Sequence, residues 1–216
     1  MPRILLVPLL LVQCCTRPPL PCAGPDTCDN RQLCIAGRCA APGSEPAPRE
    51  SQRIVVAPTD LAVVTARGES SALPRSVPFG RQERGSVVLL LRFPTPWGNK
   101  ARIAGAFLLL WPVREAPAES RPVPIAVARI LEPWVGTEVS WGRLPRLSPA
   151  ELSTVATSTS SRPLRIDVTE IVKRWTRSQP DDQGIALVAS AIGPDGTSYA
   201  TGLGGGLAPR LDVYVR

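Results

Sequence analysis

From Arg53 to Arg216 the chain is cut into short apolar runs, each closed within a few residues by proline, glycine, asparagine or aspartate. That cadence constrains the fold more than any other feature. "RIVVA", "LAVVTA", "GSVVLLLRF", "RIAGAFLLLWPV" and "VPIAVARIL" come first, then "TEVSW", "PLRIDV", "GIALVAS", "TSYATG" and "PRLDVYVR". Leucine and β-branched side chains suit a pleated surface, and frequent turn residues leave no room for long helices. The 25 prolines act in the same direction, because proline lacks the amide hydrogen that an inner helical turn requires. These runs predict an all-β fold, a jelly-roll-like β-sandwich. In "PRLDVYVR", Leu211, Val213 and Val215 alternate with Asp212, Tyr214 and Arg216, which predicts one buried and one open face.

One segment breaks the cadence. "DVTEIVKRWTR" predicts a short helix over about 168–177. Asp167 is placed to cap it, Glu170 completes a capping-box-like pair, and Thr169 is the alternative cap. Val168, Val172 and Trp175 recur at helical spacing with Ile171 beside them, forming one apolar stripe. Lys173, Arg174 and Arg177 lie near the C-terminal end, where cations suit the helix dipole. The segment is expected to be a corner helix packed on a sheet, with Trp175 in the core.

Composition excludes several chemistries. The chain has no histidine, so Ser-His-Asp and Cys-His mechanisms have no base within it. No pair of carboxylates is singled out for glycoside hydrolysis. No catalytic residue is therefore nominated, and the chain is expected not to be an enzyme. The formal charge is +7, carried almost wholly by scattered arginines without aromatic interleaving, which speaks against a nucleic-acid partner. Asp181, Asp182 and Asp195 sit in turn-forming stretches. No D-x-D-x-D-G loop occurs, so neither a metal nor a cofactor is expected, and a structural calcium is disfavoured.

All six cysteines fall within the first 39 residues. "MPRILLVPLLLVQCC" has a basic start and an apolar run shorter than the about 20 residues of a membrane span, as in a secretory signal. "LVQC" resembles a bacterial lipobox, which implies lipidation at Cys14, with Cys15 as runner-up. Cys22, Cys28, Cys34 and Cys39 follow as C-x5-C-x5-C-x4-C, without C-x-x-C or histidine, which disfavours zinc and favours disulfides. Their pairing stays open among three connectivities. The segment resembles small cysteine-rich modules near the N-terminus of exported bacterial proteins, especially in myxobacteria. The expected organisation is a signal at 1–13, a cysteine-rich module at 14–39, a proline-rich linker at 40–52 and a sandwich domain at 53–216.

The order of "LLLRFPTP", "ARIAGAFLLLWPV", "EPWVGTEVSWGRLP", "LRIDVTEIVKRW", "GIALVAS" and "APRLDVYV" resembles the DNRLRE family over about Ile54 to Arg216. These are exported bacterial and archaeal β-sandwich modules, related in fold to carbohydrate-binding modules and similar to the arm domain of TGF-β propeptides. The stretch from Arg53 to Arg81 and "YATGLGGGLAP" depart from the family pattern. The resemblance implies non-catalytic binding at the cell surface, to polysaccharide or another envelope component. The propeptide likeness implies a structural or protein-interaction module instead. The expected location is the cell envelope, as an outer-membrane or surface lipoprotein held by its lipid, with secretion as the alternative.

Sugar rings stack on flat apolar faces, so the aromatics are the candidate ligand contacts. Trp97, in the turn-rich "PTPWGNK", and Tyr214, on the expected open face of the last strand, are nominated. Trp175 and Trp141 are expected in the core.

Overall fold

The computed structural model describes residues 33–35, 38–40, 51–67, 73–80, 84–98, 101–113, 123–156, 163–177, 183–190, 197–202 and 207–216. The chain forms two compact units, Met1–Pro46 and Ala47–Arg216. In the first, β1 (Leu33–Ile35) and β2 (Arg38–Ala40) form an antiparallel hairpin with Cys34 opposite Cys39. Cys39 is buried and disulfide-bonded. The expected signal segment at 1–13, and Cys14, Cys15, Cys22 and Cys28 of the expected cysteine-rich module, lie outside the described residues.

The second unit is an all-β sandwich with one short helix. Its elements are β3 (Gln52–Val56), β4 (Asp60–Thr65), β5 (Ser76–Phe79), β6 (Val87–Arg92), β7 (Ile103–Leu110), β8 (Val123–Arg129), β9 (Leu152–Ala156), β10 (Leu164–Asp167), α1 (Thr169–Arg177), β11 (Ile185–Ala189), β12 (Thr197–Ala200) and β13 (Arg210–Val215). One sheet has the order β10-β7-β13-β3, the other β4-β6-β11-β8-β9, and β12 pairs with β5. All these pairs are antiparallel.

The inner faces of the two sheets share one core. Leu108, Leu211 and Val213 come from the four-stranded sheet, and Leu89, Ile125 and Leu187 from the five-stranded one; each is fully buried. Val77, Phe79 and Tyr199 of the small β5–β12 sheet join the same core. In β6, Val87 to Leu91 are all buried, because the strand is covered on both faces. This is why "VVLLL" runs apolar without alternating, as sandwich-core strands do.

The helix begins at Thr169, within a residue of its expected start. Asp167 caps it, and Thr169, the alternative, is the first helical residue instead. Asp167 Oδ1 accepts hydrogen bonds from Thr169 N at 3.0 Å and Thr169 Oγ1 at 2.5 Å. The Thr169 hydroxyl in turn accepts from Ala106 N at 2.9 Å, and Val168 N donates to Ala106 O at 2.9 Å. The helix start is thus fastened to β7. Glu170 does not complete a capping box; it pairs with Lys173 at 2.7 Å. Val168, Ile171, Val172 and Trp175 are buried in the inter-sheet core, so the stripe serves as expected. Arg174 reaches Glu151 at 3.4 Å, and Glu151 also holds Arg129 at 2.5 Å, linking the helix to β8 and to the residue before β9.

Three local expectations are corrected. "TEVSW" forms no strand; it is a chain of turns in which Glu138 N donates to Val135 O and Arg143 N to Ser140 O. β5 and β9 are strands that the apolar cadence did not mark, since β5 contains Pro78 and β9 carries Ser153 and Thr154. The supposedly open face of β13 is closed: Asp212 is wholly buried, 2.5 Å from Arg53 and 3.1 Å from Arg210. A buried carboxylate requires such partners.

Gly184 opens β11 at a φ of +114°, and a Cβ there would lie 2.1 Å from Leu91 O of the paired strand. Its own carbonyl accepts from Ile130 N at 3.0 Å. Gly184→Ala is therefore expected to destabilise the domain by about 3 kcal/mol or more, combining backbone strain with a main-chain clash. Gly142→Ala, with nothing near its Cβ, should stay within about 0.5 kcal/mol. Urea-unfolding midpoints of the two variants provide the comparison.

Candidate functional site

After β8 the chain leaves the five-stranded sheet and returns only at β9. The neck is closed by a bridge between Ile130 and Leu147 and by the bond from Leu131 N to Arg146 O at 2.9 Å. A surface segment with adjoining ends and its own packed side chains is an Ω-loop, a frequent site of function. Its position follows from the sheet. The outer face bears Ala62, Val64, Val88, Leu90 and Ala186, an apolar surface that must be removed from water. Trp134, Val139, Leu144 and Leu147 of the excursion lie against it as a second core.

Trp134 is the anchor, only 5% exposed. Its indole Nε1 donates to Gln183 O at 2.7 Å. The Arg92 guanidinium sits 4.8 Å from its ring centroid, within cation–π range, and Arg92 Nη2 donates to the Trp134 carbonyl. Asp60 completes the attachment: its Oδ2 accepts from Gly136 N at 3.1 Å and lies 3.9 Å from Arg92 Nη1. Gly136 permits this approach, since a Cβ there would fall 2.5 Å from Asp60 Oδ1.

The anchored excursion encloses a groove of about 360 Å³, lined among others by Glu132, Trp134, Glu138, Val139, Arg143 and Leu144. Its lining combines apolar side chains with two carboxylates and one guanidinium. Glu132 is oriented by the bond its Oε1 accepts from Arg146 N at 2.8 Å. Trp141 stands in the turn between the lining residues Val139 and Arg143 and is 43% exposed; Val135 is 49% exposed. The arrangement offers a flat apolar face, hydrogen-bond acceptors and a donor. Among the described residues no group of three or more His, Cys, Asp or Glu is placed to hold a metal.

The expected aromatic contacts lie elsewhere. Trp97 is only partly exposed and packs against the inter-sheet core, so it is not the free platform that its turn-rich surroundings suggested. Tyr214 is 3% exposed; its ring meets Phe107 edge-on at a centroid distance of 6.0 Å. Both rings lean toward Gly105, where a Cβ would lie 3.2 Å from Phe107 and 3.9 Å from Tyr214. Tyr214 is thus no open contact. Trp141, expected in the core, is the exposed tryptophan, while Trp175 is buried as expected. Asp181, Asp182 and Asp195 lie outside the described residues. The clue to the groove in the sequence is the pair Trp134 and Trp141 in one glycine-punctuated stretch, of which only the first covers the sheet.

No family model matches the chain, and no curated protein matches it.

Arg92→Ala removes a cation–π contact and a charge-assisted hydrogen bond at once. We expect a stability loss of about 1–3 kcal/mol. Faster amide exchange should be concentrated between Leu131 and Arg146 rather than spread through the sheets. Hydrogen exchange followed by mass spectrometry reads both.

Proposed function

We propose that this chain is a non-catalytic binding module of the cell envelope that takes a polysaccharide in the groove of the Glu132–Pro145 excursion. Trp141 carries this reading. It presents a large flat apolar side chain, 43% exposed, in the turn between Val139 and Arg143, which line a groove that supplies two carboxylates and a guanidinium. Sugar rings need that combination: a face to stack on and convergent polar groups for their hydroxyls. The groove's lining holds no histidine or cysteine.

Export and lipid anchoring belong to the same proposal. The basic-then-apolar opening, the "LVQC" stretch and the confinement of all six cysteines to the first 39 residues support it. The disulfide-bonded state of Cys39 agrees with an oxidising compartment. Cys14 is then the lipidated residue, and Cys22, Cys28, Cys34 and Cys39 form two disulfides. Membership of the DNRLRE family is likewise proposed, from the order of its motifs along the chain. Val135, exposed on the same excursion, favours the second reading, a protein-docking surface without glycan binding.

Trp141→Ala should lower affinity for a bound polysaccharide at least tenfold, about 1.4 kcal/mol, with an unchanged unfolding midpoint. Trp97→Ala should lower stability and leave affinity within about twofold of the original protein. Affinity electrophoresis against immobilised polysaccharides measures the first quantity and thermal unfolding the second. If Trp97→Ala abolishes binding while Trp141→Ala does not, the groove is not the site.

A further inference from the structure

The outer face of the four-stranded sheet, on the other side of the sandwich from the groove, gathers arginine. Residues paired directly across a sheet share a face. Arg165 of β10 and Arg210 of β13 both lie opposite Leu109 of β7, so they stand two strand spacings apart, about 10 Å. Arg53 of β3 lies opposite Tyr214, four residues along β13 from Arg210, about 14 Å. Ile103 and Val215 pack on the inter-sheet core, so alternation turns the exposed Arg102 and Arg216 beside them outward. Arg216 N donates to Arg102 O at 2.9 Å, which continues the β7–β13 pairing to these residues. The acidic residues of the four strands are Asp167 and Asp212. Asp212 is wholly buried between Arg53 and Arg210, and Asp167 caps the helix. Five arginines against two aspartates leave this face at +3 among the described residues. Glu170, in the first turn of the helix, is matched by Lys173.

Resting on the lipid-anchored reading above, we propose that this face docks on anionic phospholipid headgroups. Its arginines are spread over an area rather than along a line, and they are mixed with apolar surface. Val55, opposite Asp212 on the same face, is 51% exposed. Arg210 lies 4.8 Å from the Trp111 ring centroid, and Arg165 3.9 Å from that of Phe107. These guanidinium groups cover aromatic surface, while the Arg53 and Arg210 side chains, 40% and 37% exposed, still reach water. Cations laid over apolar groups match a membrane interface, where headgroup phosphates lie over acyl chains. A soluble acidic polymer offers the charge without the apolar layer. The linker at 40–52 runs into β3, the strand that carries Arg53. Such a proline-rich linker reaches about 40 Å when extended, so an anchored chain keeps the domain near the lipid and raises its effective concentration there. Docking lays the four-stranded sheet on the membrane and turns the Glu132–Pro145 excursion away from it.

The test uses the full chain with Cys14→Ala and Cys15→Ala, so that no lipid is attached and the face acts alone. Vesicles of phosphatidylglycerol and phosphatidylcholine in equal parts are compared with phosphatidylcholine alone, by co-sedimentation at low and physiological salt. The expected result is binding to the anionic vesicles, weakened by salt and about tenfold or more tighter than to the neutral ones. Each arginine near an anionic surface contributes about fivefold, so Arg102→Gln with Arg216→Gln should weaken binding about 25-fold and Arg165→Gln alone about fivefold. Arg84→Gln with Arg146→Gln removes the same charge from exposed positions before β6 and in the excursion, and should change binding less than about twofold. Equal binding to the two vesicles, or equal losses in the two double variants, overturns the docking. So does tighter binding of a soluble polygalacturonate with the same dependence on Arg102 and Arg216, which gives the face to an acidic polymer instead. Labelled palmitate in the original chain reads the anchor separately. Its absence sinks the anchoring reading alone, and absence of vesicle binding sinks the docking alone.

Discussion

The five-stranded sheet has two apolar faces, and that constraint organises the domain. Its inner face meets the four-stranded sheet. Its outer face, with Val64, Val88 and Leu90, would be a large exposed hydrophobic patch if left bare. The excursion between β8 and β9 covers it, with Trp134 as the anchor. One side chain, Arg92, stacks on the Trp134 ring and holds its carbonyl, while its neighbour Asp60 holds Gly136. Once Trp134 is fixed inward, the short turns that follow must point outward. Glu138, Trp141 and Arg143 are presented to solvent as a consequence of covering the sheet.

The opposite side of the sandwich solves a different problem. The outer face of the four-stranded sheet carries Phe107, Tyr214 and Asp212, all buried. Aromatic rings fold over Gly105, and Asp212 lies between two arginines. Such a face is closed by its own side chains and offers a ligand little open aromatic surface. The helix contributes to the core and is fastened at Ala106. Glu170 pairs with Lys173, and Arg174 reaches Glu151. The groove gathers Glu132, Glu138 and Arg143, and the exposed Trp141 stands in the turn between its lining residues Val139 and Arg143.

The parts legible in the sequence were those decided locally. The run "VVLLL" marked a strand, and the Asp167 cap and apolar stripe of "DVTEIVKRWTR" placed the helix and Trp175. The rest depended on residues far apart in the chain. Whether Trp134 or Trp141 faces the sheet is decided by Arg92 and Gln183, which no local pattern contains. Alternation in β13 implied an open face for Tyr214, but Gly105 and Phe107 of β7 close it. Trp97 sits among turn residues, as exposed tryptophans do, and packs against the core regardless. Side-chain exposure in this sandwich is set by partners across the sheet.

The central claim is that the outward turns of the covering excursion form the ligand site. Backbone amide shift mapping on the isotope-labelled full chain, titrated with a soluble neutral glucan, tests it most directly. The account predicts saturable shifts concentrated between Glu132 and Pro145, with Trp141 and its neighbours most affected. Shifts centred instead on the outer face of the four-stranded sheet, around Arg53, Arg165 and Arg210, would contradict it.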